Sequence, residues 1–330
     1  MREVAALAGV SLGTVSNVLN RPERVSEATQ LKVRAAMDEL AFVRNEGARQ
    51  LRMGDSRTLA YVALDAGNPF FADVTRGLEE VAEAAGLAVF LCNAGESADR
   101  EASYLRLLEQ QRVTGVLVTP VDSGSDLLRQ LPARGLPVVL VDRPSPDGRH
   151  CSVTVDDVGG GRLALDHLLE LGHERIAFVG GPMQVPQVAD RWHGALAAVE
   201  DAGRDPSTLV HLATEGLSVG QGRAAAERLF GMPAKLRPSA VFCANDLVAL
   251  GVLQRCTELG LDVPGDLAIV GYDDIQFAAG AAVPLTSVRQ PAKDLGRTAA
   301  RLLLSEAHDE DHTHEQVRYD PVLVVRGSTR

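Results

Sequence analysis

Residues 3 to 20 read Glu-Val-Ala-Ala-Leu-Ala-Gly-Val-Ser-Leu-Gly-Thr-Val-Ser-Asn-Val-Leu-Asn, with apolar positions at helical spacing on both sides of Gly9. Val4, Ala5, Leu7 and Ala8 make one stripe. Gly9 can take the left-handed backbone of a corner, and Ser11 can cap the next helix through its hydroxyl. Val15, Val18 and Leu19 then share one face and leave Leu12, Gly13, Ser16 and Asn17 on the other. The pattern predicts a helix-turn-helix with a reading face. Any helical hairpin would look the same over these residues alone. A third helical pattern covers residues 26 to 41, with Ser26 before it and Val33, Met37 and Leu40 on one stripe.

After about residue 57 the pattern changes to short apolar runs alternating with amphipathic stretches. The runs are 59–64, 87–91, 115–119, 138–141, 176–179, 241–243 and 267–270. Helical spacing occupies stretches such as 72–85, 99–112, 158–171, 218–230 and 246–259. Repeated βαβ units imply parallel sheets covered on both faces. There are too many units for one convenient sheet, so two lobes with a cleft at the strand ends are expected. The predicted fold class is a small all-α headpiece followed by a two-lobed α/β body.

Between these parts lies Arg44-Asn45-Glu46-Gly47-Ala48-Arg49-Gln50-Leu51-Arg52. It is too short to hold a helix alone in water. A basic, marginal helix with one unburied leucine suits a wedge in the minor groove of a duplex. An ordinary charged linker is the alternative.

At this point the chain resembles a known family. Val10-Ser11, Thr14-Val15-Ser16, Val18-Leu19-Asn20, Val25-Ser26 and the Ala-Arg-x-Leu-Arg of 48–52 look like the DNA-binding headpiece and hinge of the lac-repressor family. Further matches run down the chain: Asn68-Pro69-Phe70-Phe71, 172–177, Ala244-Asn245-Asp246, Gly271-Tyr272-Asp273-Asp274, 284–288 and 325–329. The resemblance implies a headpiece over 1–43, a hinge helix and linker over 44–57, and an effector-binding, dimerising body over 58–330. It implies a periplasmic-binding-protein-like body with three crossings between lobes, near 157, 287 and 317. One lobe would hold about 58–157 plus 288–316, the other about 158–286 plus 318–330.

The resemblance also implies roles. Leu12, Gly13 and Asn17 fall where members touch base edges. Leu12 can only make apolar contact, Gly13 has no side chain to read with, and Asn17 can pair with adenine. Thr14 and Ser16 suit phosphates, which fix register. Leu51 matches the leucine wedge, and Asn45 and Arg52 match backbone contacts. Members carry a few residues before the Val-Ala of the first helix. Met1-Arg2-Glu3 leaves little room for them, so either the true start lies upstream or the first helix is poorly capped.

In the cleft the resemblance points to Phe71, Asp142, Arg191, Asn245 and Asp273 as effector-binding residues. Fork donors and paired acceptors of this kind suit the hydroxyls of a sugar. Each has a plainer alternative. Arg191 could be a solvated charge, and Asp142 or Asp273 could cap a loop. Trp192 could stack on a sugar but fits packing better.

Composition narrows the field. Hydrophobic residues make up 45% and charged residues 23%, ordinary for a globular chain. Aromatics are only 4%, too few for a stacking platform for single strands. The net charge is -11, but residues 1–57 hold nine Lys and Arg against seven Asp and Glu, leaving 24 against 37 for the rest. Cys92, Cys151, Cys243 and Cys256 show no Cys-x-x-Cys spacing and read as reduced thiols. There is no leader-like N-terminus and no run long enough for a membrane span, so a cytoplasmic location and no membrane partner are expected.

No catalytic set assembles. Gly9-Val10-Ser11-Leu12-Gly13 matches a nucleophile elbow in letters but follows a helical pattern, not a strand. Gly159-Gly160-Gly161 and Gly180-Gly181 fit no phosphate-loop spacing. His308, His312 and His314 could hold a metal, yet no second ligand cluster accompanies them in sequence, so they read as a solvated loop. No metal and no cofactor is expected.

The reading is a homodimeric transcriptional regulator, most simply a repressor. It would bind a pseudo-palindromic double-stranded operator under the control of a small effector, a sugar by family precedent. The rival is a sugar-binding sensor with no DNA-directed function. An acidic body repels DNA, so binding must come from the small basic front. Operator binding should fall steeply with salt. A filter-binding salt titration with a flat response would overturn that.

Overall fold

A computed structural model describes residues 1–42, 56–309 and 311–330. The 44–52 segment, with Asn45, Leu51 and Arg52, lies outside the described residues. The chain divides into two units, Met1–Ser56 and Arg57–Arg330.

The first unit carries α1 (Arg2–Ala8), α2 (Leu12–Asn20) and α3 (Glu27–Glu39). Gly9 closes α1 at φ 65°, where a side chain would be strained. Met1 offers α1 no side-chain cap. Ser11 Oγ accepts from the Thr14 amide at 3.0 Å and starts α2. Val4, Ala5, Val15, Val18, Val33 and Ala36 form the core. Two stripe positions differ from expectation: Leu7 is 47% and Leu40 40% exposed. Leu40 follows the last residue of α3, where Ala36 takes the inward position.

The second unit holds two six-stranded sheets. The first contains β1 (Thr58–Ala63), β2 (Ala88–Asn93), β3 (Gly115–Val118), β4 (Val138–Val141), β5 (Cys151–Val155) and β11 (Gln316–Tyr319) in the order β11-β5-β4-β3-β1-β2. All its ladders are parallel. The second contains β6 (Ile176–Gly180), β7 (Leu209–Ala213), β8 (Ala240–Cys243), β9 (Ala268–Asp273), β10 (Thr286–Arg289) and β12 (Val322–Val324) in the order β12-β10-β9-β8-β6-β7. Only β12 runs antiparallel, against β10.

Helices cover both faces. In chain order they are α4 (Pro69–Ala84), α5 (Ala98–Gln111), α6 (Asp126–Gln130), α7 (Asp157–Glu170), α8 (Pro186–Asp201), α9 (Val219–Phe230), α10 (Asp246–Glu258), α11 (Gln276–Ala279) and α12 (Ala292–His308). Inner strands such as β3, β4 and β8 are buried along their whole length, which is why they read as unbroken apolar runs.

The chain passes between lobes after β5, after β10 and after β11. Val288 and Arg289 pair with Tyr272 and Asp273, so they belong to the second lobe. Val317 to Tyr319 pair with Val153 to Val155, so they belong to the first. The last two passages therefore lie slightly later than expected. The ladder registers hold these residues until each strand is complete.

Helices α7 and α8 cross in close contact. A Cβ on Gly194 would meet the Val158 carbonyl at 1.9 Å, and one on Gly161 would meet the Arg191 carbonyl at 2.1 Å. Helices α4 with α12 and α9 with α10 cross at reciprocal glycines in the same way. Helix propensity alone would favour alanine over glycine by about 1 kcal/mol. The backbone clash outweighs it, so Gly194→Ala should destabilise the body by about 1–3 kcal/mol. Gly216→Ala, with nothing within 4 Å of its Cβ, should stay near neutral in the same denaturation experiment. Equal stability of the two variants would refute this account.

Candidate functional site

On the headpiece, helix α2 turns Val15 and Val18 inward and leaves Leu12, Gly13 and Asn17 exposed. Leu12 is 48% exposed, a large apolar side chain held in water at the start of a helix. Thr14 and Ser16 are half-buried beside them. The Thr14 hydroxyl pairs with Ser11 Oγ at 2.9 Å, and the Ser16 carbonyl accepts from Asn20 Nδ2 at 2.9 Å. Met1, Arg2 and Glu3 join Leu12, Gly13 and Ser16 around one open hollow.

In the body, one cavity lies where strand ends of both sheets meet. Phe71, Asp142, Arg191, Asn245 and Asp273 all line it. Phe71 comes from the first turn of α4 and packs edge-on to Phe70, with ring centroids 5.1 Å apart. Trp192 is absent from the lining and packs instead on Phe178 at 5.5 Å and His211 at 5.2 Å.

Asp142 follows β4, and Asp273 ends β9. Both take left-handed backbone, at φ 59° and 97°. Such positions cost roughly 1–3 kcal/mol and persist where the surroundings enforce them, often at functional sites. Asp142 Oδ2 accepts from Gln187 Nε2 at 2.7 Å. Asp273 Oδ2 accepts from Asn68 Nδ2 at 3.1 Å, and its Oδ1 from Gln290 Nε2 at 2.8 Å. The Asp142–Gln187 and Asn68–Asp273 bonds run from one lobe to the other.

Arg191 is buried, not solvated. Its Nε donates to Asp157 Oδ1 at 2.7 Å, and its Nη1 to the Ala244 carbonyl at 2.7 Å. Asp273 Oδ1 lies 3.8 Å from Nη1, and the guanidinium sits 3.6 Å over the Tyr272 ring. Burial disfavours its charge, but Asp157, Tyr272 and Asp273 outweigh that and hold it firmly cationic. Asn245 is largely committed to structure. Its Oδ1 accepts from the Val248 amide at 2.9 Å, capping α10, and its Nδ2 donates to the Leu217 carbonyl at 3.1 Å.

Three residues that the sequence did not single out as binding groups, Asn68, Gln187 and Gln290, also line the cavity. Asn68 was visible only as part of a motif, where it caps α4 through the Phe70 amide at 3.0 Å. Nothing in the spacing of Gln187 or Gln290 announces them. Three buried lining atoms have no hydrogen-bond partner: Asp142 Oδ1, Gln187 Oε1 and Gln290 Oε1. All are oxygens. The two amides are oriented by the carboxylates to which they donate. With Asp142 ionised, these three atoms are acceptors without a donor.

With this geometry in hand, comparison with known proteins is direct. Residues 1–45 match the model for bacterial regulatory proteins of the lacI family, and residues 165–329 match that for a periplasmic binding protein-like domain. The HTH-type transcriptional repressor PurR of Aliivibrio salmonicida (strain LFI1238) is 35% identical over 332 residues, covering 99% of this chain and 98% of that protein. The chain belongs to the lacI family. Like other lacI-family proteins it is a DNA-binding transcriptional regulator with a ligand-binding body, and not an enzyme. Among solved structures, a transcriptional regulator CelR–cellobiose complex is 33% identical, with a TM-score of 0.72 and coverage of 99% of this chain and 98% of that one. The lac repressor dimer bound to operator and the anti-inducer ONPF is 26% identical, with a TM-score of 0.82 and coverage of 99% and 97%. Among the described residues of this lacI-family chain, no helix is long and apolar enough to cross a membrane.

Burial, then the neighbouring Asp157 carboxylate, pushes Asp142 up to about 7, against the lowering pull of Arg191, Arg143 and Gln187. The unfolded carboxyl titrates near about 3.9. Between these values the unfolded chain ionises while folded Asp142 keeps its proton, so this group's contribution to stability is lost as pH rises through the window. Asp142→Asn cannot titrate. Its melting temperature relative to the native chain should rise between about pH 4 and pH 7. A constant difference across that range would contradict the assignment.

Proposed function

We propose that this protein is a cytoplasmic, homodimeric repressor whose grip on a pseudo-palindromic operator is set by a sugar-like effector bound between the two lobes. The observation that carries the reading is the set of unpaired acceptors, Asp142 Oδ1, Gln187 Oε1 and Gln290 Oε1, on residues that line one cavity with Phe71. A ligand rich in O–H donors satisfies them, and each unpaired buried acceptor costs about 1–3 kcal/mol until it does. Charge supports the same class. Asp65, Glu96, Asp142 and Asp273 line the cavity against one cation, Arg191, which is already paired. That favours a neutral polyol over an anion. The relative solved with cellobiose points the same way.

The cavity has about 40 Å³ of free space, room for a few waters. Small-molecule sites run to roughly 300–1,000 Å³. Entry of an effector therefore requires the lobes to part, breaking the Asp142–Gln187 and Asn68–Asp273 bonds. The bound ligand replaces them. The changed lobe arrangement biases the 44–52 hinge and so couples two sites.

At the operator, Leu12 meets a thymine methyl, Asn17 reads an adenine, and Thr14 and Ser16 fix register on phosphates. Gly13 lets the backbone approach closely. Leu51 wedges the minor groove, and Asn45 and Arg52 hold the backbone beside it.

A thermal-shift screen of neutral sugars against anionic metabolites tests the cavity, because a ligand of the folded state raises the melting temperature. A neutral polyol should raise it, and Gln187→Ala should reduce the shift. A hit confined to anions would refute the reading. In gel shifts, Asn17→Ala should weaken the specific operator by about 1–3 kcal/mol. Leu51→Ala should weaken it while leaving the effector shift intact. Unchanged operator affinity in both variants would remove the DNA assignments.

A further inference from the structure

The histidine loop does not stand alone once the chain is folded. His312 and His314, on the segment leading into β11, turn back onto Cys151 at the start of β5 and Glu306 in the last turn of α12. One donor atom from each of the four lies within 4.8 Å of every other. Cys151 Sγ is 3.1 Å from His312 Nε2 and 3.8 Å from His314 Nδ1. His314 Nδ1 is 3.9 Å from Glu306 Oε2.

Hydrogen bonding leaves one acid of this group unsatisfied, while Cys151 Sγ also accepts from the Glu315 amide at 3.3 Å. A separation of 3.9 Å is too long for a hydrogen bond. Glu306 Oε2 is shielded from water and has no hydrogen-bond partner. The far nitrogen of the His312 ring, Nδ1, meets Ser305 Oγ at 3.1 Å, which fixes the ring with Nε2 toward the thiol. Metal-bound histidines carry an outer partner of this kind almost without exception. His308 takes no part: it is exposed, and its Nδ1 donates to the Leu304 carbonyl at 2.7 Å.

We propose that Cys151, Glu306, His312 and His314 form a structural zinc site that staples the segment between α12 and β11 to β5. One sulfur, two imidazole nitrogens and one carboxylate oxygen make a four-donor set suited to Zn²⁺. Mg²⁺ and Ca²⁺ want six or more oxygens. Bonds of about 2.0–2.3 Å at tetrahedral angles put donors about 3.3–3.7 Å apart. Three separations, 3.1, 3.8 and 3.9 Å, lie near those edges, and the remaining pairs, all within 4.8 Å, draw together on binding. Four protein ligands leave no open position, which marks a structural and not a catalytic ion. The site lies within the first lobe and uses none of the cleft residues, so it stands or falls apart from the effector reading.

The test uses the untagged full-length chain, stripped with a chelator and titrated with Zn²⁺ or Co²⁺. One ion should bind per chain and raise the melting temperature. Bound Co²⁺ should show tetrahedral visible absorption with a thiolate charge-transfer band. Cys151→Ser should abolish that band, and Ser305→Ala should weaken binding about 10-fold to 100-fold. His308→Ala should change nothing. Should Cys151→Ser fail to fold, His312→Ala on the half-buried loop gives the same reading through lost stoichiometric binding. Absence of stoichiometric binding, Co²⁺ bound without a thiolate band, or binding indifferent to Cys151→Ser and His312→Ala would each overturn the proposal.

Discussion

The body depends on keeping one buried guanidinium satisfied. Taking Arg191 out of water carries a penalty of several kcal/mol, and only good geometry offsets it. Asp157 supplies that geometry from the first turn of α7, the Ala244 carbonyl from the end of β8, and Tyr272 a π face from β9. Three elements are therefore fixed around one side chain. The glycine crossing of α7 and α8 is what lets Arg191 reach them, since a Cβ at Gly161 would collide with the Arg191 carbonyl at 2.1 Å. Packing and electrostatics are one constraint here. Sliding of these helices would break the Arg191 bonds to Asp157 and to the Ala244 carbonyl.

The same cleft carries the bonds between the lobes. The closed lobes are tied by bonds to carboxylates, from Gln187 to Asp142 and from Asn68 to Asp273. Charge-assisted bonds of this kind contribute about 1.5–3 kcal/mol each. The same residues carry costs: three buried acceptor oxygens lack partners, and Asp142 sits in left-handed backbone. A ligand shifts such a cleft only by binding one arrangement better than another.

Much of this was legible in the sequence, for physical reasons. Inner strands buried on both faces, such as β4 and β8, must be apolar throughout, so they stand out. Of the strands the runs missed, β7, β11 and β12 lie at sheet edges, where polar side chains are tolerated, and β5 and β10 lie one strand in, where Ser152, Thr154, Thr286 and Ser287 break the apolar run. The helix-turn-helix was readable because Gly9 and Ser11 each solve a local backbone problem. Asp142 and Asp273 came from the family resemblance, Asp273 alone within a motif, and the fold brings both to the cavity. Gln187 and Gln290 stayed hidden because a glutamine binds by where the fold puts it, not by any spacing. Asn245 comes from a motif and lines the cavity, while its side chain also caps α10 and holds the Leu217 carbonyl. The pairing of Cys151 with His312 spans 161 positions, so no local pattern could reveal it.

The headpiece poses a problem of economy. The exposed residues proposed to read bases are an aliphatic side chain, a glycine and one asparagine. Bidentate pairing discriminates bases by about 1–3 kcal/mol per contact, and only Asn17 can make it. The headpiece and linker bring a small excess of positive charge, while the rest of the chain is strongly acidic. One headpiece alone must therefore bind weakly and with little discrimination. Joining two of them squares the selectivity of each and makes the second contact intramolecular, at a local concentration set by the segment that links them. On the proposed reading, a weak reader suits a switch: its hold on DNA rests on both headpieces being seated together, and that is what an effector would act on.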